Sequence, residues 1–133
     1  MEKQSICHLP LVLSSVQAGF GSAADEYIER YLDLNELIVK NPAATFFVRV
    51  QGDSMRDEGI FSGDLLAVDR SKTAVHGNTV IAVVNGEFTV KKLVIDQDSI
   101  ELHPANSRYK KQKIDPESDF RIWGVVTYVI GAR

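Results

Sequence analysis

Thr79-Val80-Ile81-Ala82-Val83-Val84-Asn85-Gly86-Glu87-Phe88-Thr89-Val90-Lys91-Lys92-Leu93 reads as two β-strands joined by a two-residue turn. Asn-Gly suits a type I′ turn because both central positions require positive φ. The flanking runs are β-branched and aromatic, which favours a pleated, half-buried surface. A two-residue loop sets the pairing: Val80 faces Lys91 and Thr79 faces Lys92.

The same alternation extends in both directions. Phe46, Val48 and Val50 alternate with Phe47, Arg49 and Gln51 on a strand beginning at Thr45, and both sets are apolar enough for each face to meet something. Leu65-Leu66-Ala67-Val68 is a further strand, preceded by a loop punctuated by Gly59, Gly63 and Asp64. Ser99 to His103 is a short strand ended by Pro104-Ala105-Asn106, and Phe120 to Ile130 is a long one containing Trp123. Ahead of them, Ser22 can cap a helix with Asp25 in its first turn, and Tyr27, Ile28, Tyr31 and Leu32 recur at helical spacing. Leu34 and Leu37-Ile38 continue through a second short turn, and Asn41-Pro42 stops it. The fold expected is mostly β: a strongly bent antiparallel domain with a short helical lead-in.

Residues 1–21 read as an extended N-terminal arm preceding a domain over residues 22–133. Pro10 blocks helix in Leu9-Pro10-Leu11-Val12-Leu13, so that run is extended and suited to a groove or a sheet edge. Gln17-Ala18-Gly19-Phe20-Gly21 is flexible, and Ala18-Gly19 offers no bulk to a narrow protease cleft.

Composition bounds the function. The chain has 133 residues, 44% of them hydrophobic and 25% charged, which is ordinary for one globular domain. A net charge of −3 argues against a large phosphate-binding surface, and the one basic run, Arg108, Lys110, Lys111 and Lys113, reads as a solvated loop. A single cysteine, Cys7, excludes an intrachain disulfide and fits a reducing compartment. His8, His76 and His103 are scattered without metal-ligand spacing, so neither metal nor cofactor is expected. No apolar run is long enough to cross a bilayer and no signal peptide is apparent; a cytoplasmic protein is the expectation.

Chemistry concentrates at Gly52-Asp53-Ser54-Met55. A serine hydroxyl is a poor nucleophile until a base takes its proton. The residues after Ser54 are Met-Arg, unlike a nucleophile elbow, and Asp57 stands where a Ser-x-x-Lys pair would place its lysine. A base must come from further along the chain. A lysine serves if it is neutral. With an ordinary pKa of about 10.4, holding it so near pH 7 takes about 4 kcal/mol against the charged form, which burial can supply. Period-two alternation puts Lys91 on one face with Ala82 and Thr89, and Lys92 on the other with Ile81, Val83, Phe88 and Val90. Pattern leaves open which of the two is buried. Backbone N–H groups of Asp53 and Ser54, at the change from strand to turn, are the natural donors for an oxyanion.

Taken together, Val50-Gln51-Gly52-Asp53-Ser54-Met55, Gly63-Asp64-Leu65-Leu66-Ala67-Val68-Asp69, Phe88-Thr89-Val90-Lys91-Lys92-Leu93, Leu102-His103-Pro104-Ala105-Asn106-Ser107-Arg108-Tyr109 and Trp123-Gly124-Val125-Val126 resemble the LexA/UmuD family of self-cleaving proteins. Val16-Gln17-Ala18-Gly19-Phe20 and Ala23-Ala24-Asp25-Glu26-Tyr27 resemble the cleavage region of its UmuD branch and the helix after it, although UmuD has Cys-Gly at the cut and this chain has Ala18-Gly19, as LexA does. The resemblance implies that Ser54 is the nucleophile and Lys91 its general base, with the cut at Ala18-Gly19. It implies a homodimer, cleavage stimulated by a RecA filament on single-stranded DNA, and partnership with a UmuC-type polymerase subunit in translesion synthesis during the SOS response. With residues 1–18 ahead of the cut, a helix-turn-helix domain does not fit, so direct sequence-specific DNA binding is not expected. Two rival readings remain: a signal peptidase, which also pairs Ser-Met with a lysine but normally carries a membrane anchor, and a non-catalytic dimeric binding module on the same fold.

Overall fold

The computed structural model describes residues 8–12 and 28–133. Cys7, the Ala18-Gly19 pair, Ser22, Asp25 and Tyr27 lie outside the described residues. The chain divides into two compact units, residues 1–40 and 41–133.

In the first unit, β1 (His8–Val12) pairs antiparallel with β2 (Ile28–Asp33), Pro10 opposite Tyr31. The extended form that Pro10 dictates is present from Leu9 to Val12. The helix suggested by the spacing of Ile28, Tyr31 and Leu32 is not: these residues form β2. Local periodicity was outweighed by a partner strand far away in sequence, which takes up the backbone groups of β2, and Ile and Tyr suit that pleat. Among the described residues the one α-helix is α1 (Leu34–Ile38), where Asp33 caps the first turn by accepting from the Asn35 N–H at 3.0 Å.

The second unit is one antiparallel sheet. Its strands are β3 (Thr45–Arg49), β4 (Leu65–Asp69), β5 (Thr79–Val84), β6 (Glu87–Asp96), β7 (Ser99–His103), β8 (Gln112–Lys113) and β9 (Phe120–Ile130), in the order β3-β4-β9-β5-β6-β7-β8. The β5–β6 hairpin has the expected register, Val80 opposite Lys91 and Thr79 opposite Lys92. Its turn residues Asn85 and Gly86 have φ of 50° and 84°, as a type I′ turn demands. β9 inserts between β4 and β5, making β5 a central strand buried on both faces.

Two apolar clusters form the core. Val50, Met55, Ile60, Leu66, Val68 and Ile81 make one, against which Trp123 packs; Val80, Ala82, Val84, Leu93, Leu102 and Val125 make the other. Ile81 points into the first while its neighbours Val80 and Ala82 point into the second, the period-two signature of a strand with no solvent face. β3 is a sheet edge: Val48 packs on the first cluster and Phe46 meets Trp123 edge-on at 5.4 Å, but Phe47 is 52% exposed. Three strands separate β3 from β6 in the order, yet both line a single cleft, so the sheet curls strongly.

Candidate active site

The cleft, of about 370 Å³, is lined by Val48–Gln51 and Ser54 on one side and by Phe88–Lys91 on the other, with Leu66 and Ile81 beneath. Ser54 follows β3 through a tight turn. Gly52 takes φ of 93°, a conformation costly for any residue with a Cβ. Met55, 1% exposed, plugs into the first apolar cluster directly after the serine. A 3-10 turn, Arg56–Glu58, then leads away. One side chain is thus driven into the core so that its neighbour is held at the cleft.

Lys91 reaches Ser54 from β6. Its Nζ lies 3.0 Å from Ser54 Oγ, 2.8 Å from Thr89 Oγ1 and 3.1 Å from the Val90 carbonyl. Burial pushes its pKa below the ordinary lysine value, because a partly desolvated ammonium lacks the water that stabilises its charge. Among the described residues it has no carboxylate partner. Lys92 does: its Nζ lies 2.5 Å from Glu58 Oε1 in a half-exposed ion pair. The two lysines therefore divide as expected, one sequestered and one solvated, and the half-buried one is Lys91.

A second loop braces the serine. The Ala105 N–H donates to the Ser54 carbonyl at 2.7 Å, and the Asp57 N–H donates back to the Ala105 carbonyl at 2.7 Å. The buried Asn106 donates from Nδ2 to the Asp53 carbonyl at 2.9 Å, and its Oδ1 accepts from the Arg108 N–H at 3.1 Å. Tyr109 donates its hydroxyl to Asp53 Oδ1 at 2.5 Å, and that hydrogen bond raises the tyrosine pKa, so the donor persists into alkaline solution. Among the described residues, the backbone N–H groups of Asp53, Ser54 and Met55 have no protein acceptor.

Sequence reasoning singled out Ser54, Lys91 and Asp53, and the fold brings them together. It missed Thr89, Asn106 and Tyr109 as parts of this site. Thr89, two residues before Lys91 on the same strand face, carried a signal in its spacing. Asn106 carried none: a polar residue after a proline reads as a turn. Ala18 and Gly19 lie outside the described residues. Among the described residues no group of three or more His, Cys, Asp and Glu side chains could hold a metal, and no helix is long and apolar enough to cross a membrane.

Residues 10–127 match the Peptidase S24-like family. Protein MucA of Salmonella typhimurium is 45% identical over 121 residues, covering 90% of this chain and 82% of that protein. Protein ImpA of Shigella flexneri is 46% identical over 121 residues, covering 91% and 82%. LexA repressor 2 of Xanthomonas axonopodis pv. citri is 40% identical over 123 residues, which is 92% of this chain and 57% of the repressor. The chain belongs to the Peptidase S24-like family, the LexA/UmuD family that its motifs resemble.

Proposed function

We propose that this protein is a self-cleaving serine protease in which Ser54 is the nucleophile and Lys91 the general base, and that the bond cut is Ala18-Gly19. The observation that carries the reading is the 3.0 Å approach of an amine with a depressed pKa to the serine hydroxyl. Neutral Lys91 takes the proton of Ser54 Oγ as that oxygen attacks the Ala18 carbonyl carbon. The negative charge that develops on the carbonyl oxygen is met by the backbone N–H groups of Asp53 and Ser54, which have no other acceptor among the described residues. Collapse breaks the bond to the Gly19 nitrogen, which leaves with the proton from Lys91. Water, giving a proton to the same amine, then hydrolyses the Ala18 ester, frees residues 1–18 and regenerates Ser54.

Control is inherent in such a design. A substrate tethered to its own enzyme has a high effective concentration, so restraint requires that the arm or the neutral lysine be competent only rarely. On the family resemblance, a RecA filament on single-stranded DNA supplies the stimulus. The shortened homodimer then serves a UmuC-type polymerase subunit in translesion synthesis in the cytoplasm.

Intact mass tests the protease reading. Purified protein held at alkaline pH, or given RecA, ATP and single-stranded DNA, loses residues 1–18, and the Ser54→Ala chain does not. An unchanged mass under both conditions supports the non-catalytic dimeric module instead.

A further inference from the structure

We infer that Asn106 is a positioning residue for the reaction: its side-chain amide sets the orientation of the Ser54 N–H, one of the two donors that meet the oxyanion. The inference rests on the protease reading above.

The geometry is that of a single peptide plane. In a trans peptide the carbonyl of one residue and the N–H of the next lie in one rigid plane and point in opposite directions. The Asp53 carbonyl shares its plane with the Ser54 N–H. Whatever holds that carbonyl therefore aims that N–H. Asn106 Nδ2 donates to it at 2.9 Å, reinforced by a turn hydrogen bond from the Arg56 N–H at 3.2 Å. The next plane is held likewise, the Ser54 carbonyl accepting from the Ala105 N–H at 2.7 Å. Both carbonyls thus face the Pro104–Tyr109 loop, and the N–H groups of both planes are directed away from it, without a protein acceptor among the described residues.

Asn106 is itself held. It is 4% exposed, and its two amide atoms have complementary partners: Oδ1 accepts from the Arg108 N–H at 3.1 Å while Nδ2 donates to Asp53. A flipped amide would set donor against donor and acceptor against acceptor, so the network admits one orientation. A buried amide with a partner on each of its polar atoms is a costly way to close a loop and a precise way to fix a plane. Oxyanion donors act through preorganisation, and a dipole that must reorient during the reaction loses most of its effect.

The test uses the full chain. Spontaneous first-order cleavage is followed by intact mass from about pH 7 to 11, a range that spans the titration of a depressed lysine. Asn106→Ala lowers the plateau rate by about 10- to 100-fold, the loss that follows misplacement of one donor. The pH midpoint stays at the wild-type value, because the burial of Lys91 and its own partners are untouched. Asn106→Asp keeps the acceptor for Arg108 and loses the donor to Asp53, and its plateau falls similarly. Thermal unfolding establishes that each variant is folded at the assay temperature. A folded Asn106→Ala chain cleaving within about threefold of wild type overturns the inference; so does a loss accounted for wholly by a moved midpoint, or failure of both variants to fold. If the wild type cleaves normally in these experiments, only this inference is lost. A wild type that keeps its full mass at every pH removes the protease reading beneath it.

Discussion

The amine of Lys91 lies 3.0 Å from the hydroxyl of Ser54, although 37 positions separate them in the chain and three strands separate β3 from β6 in the sheet. Curling of the sheet closes that distance. Only at such range can a lysine take a proton from a serine directly. Replacing Ser54 by Ala, or Lys91 by Met, abolishes cleavage under alkaline incubation and under RecA stimulation, with the folded state retained in both. Lys92→Ala is the contrast. It breaks a half-exposed pair with Glu58, an interaction worth about 0–1 kcal/mol, and leaves the cleavage rate near that of wild type. Mass spectrometry of the three variants separates the lysines; full activity in Lys91→Met ends the dyad assignment.

On the proposed dyad, the depressed pKa of Lys91 sets the pH dependence of cleavage. The protonated amine cannot act as base, so the rate rises with pH and levels once the folded-state pKa is passed. That levelling comes below about 10.4, where an unburied lysine titrates. Stability follows the same group. Between the folded pKa and the unfolded one the unfolded chain holds more protons, so wild type gains stability with rising pH. Measured in a Ser54→Ala background against Ser54→Ala/Lys91→Met, that gain shows as a difference growing through the same window. A rate flat from neutral to strongly alkaline pH contradicts a titrating lysine.

Thr89 shares a strand face with Lys91 and accepts from its Nζ at 2.8 Å. Thr89→Val removes the acceptor while nearly preserving shape. The amine then has one fewer anchor and spends less time aimed at Ser54. Cleavage slows by about tenfold, a moderate positioning loss, and the fold is unaffected. Single-time-course mass measurements at the plateau pH read this directly; an unchanged rate assigns the orientation of Lys91 to the Val90 carbonyl and Ser54 alone.

How far these features could be read from the residues depended on how local their causes were. Asn85-Gly86 declared the hairpin because positive φ at two successive positions is a property of those two residues. Alternation on β6 then set Lys91 and Lys92 on opposite faces, but could not say which faced Ser54, since that follows from the curl of β3, β4, β9 and β5 together. Ile28, Tyr31 and Leu32 were misread as helical because the strand that captures them, His8–Val12, is a non-local partner. Asn106 was illegible for the same reason at greater range: its partner Asp53 is 53 positions away. Met55 was visible as an apolar residue beside a candidate nucleophile, yet its use as the anchor that holds Ser54 outward appears only once the cluster around it is known.

Asp69 ties the end of β4 to the segment entering β3. One carboxylate oxygen accepts from the Ser71 N–H at 2.8 Å and from Ser71 Oγ at 2.6 Å, and the other accepts from Asn41 Nδ2 at 3.0 Å. The Ser71 hydroxyl, then Asn41, hold its pKa below the ordinary carboxylate value. A carboxylate with a lowered folded pKa contributes stability that is present above the unfolded value of about 3.9 and lost as pH falls through the folded one. Asp69→Asn therefore lowers the thermal midpoint at neutral pH, and its gap from wild type closes on acidification through that window. A gap that is constant with pH attributes the loss to geometry rather than to charge.

Gly124 sits on β9 opposite Ile81, where the β5–β9 register shifts. A Cβ there would collide with Cγ1 of Val68, which is wholly buried, and would meet Arg70 Cγ and the Asp69 carbonyl at 3.4 Å. Val68 cannot retreat, because it is part of the cluster that seats Met55 next to Ser54. Gly124→Ala is thus an overpacking substitution rather than a change of backbone freedom, and destabilises by about 1–3 kcal/mol. Its strain enters the same core that positions Ser54, so cleavage slows even under conditions where the variant stays folded. Shortening Val68 to Ala in the same chain makes room for the new methyl and recovers part of both losses. Denaturant titration and cleavage rates of Gly124→Ala, Val68→Ala and the double variant form a cycle whose coupling term measures the collision. Strict additivity would mean that glycine is required at this position for something other than the approach of Val68.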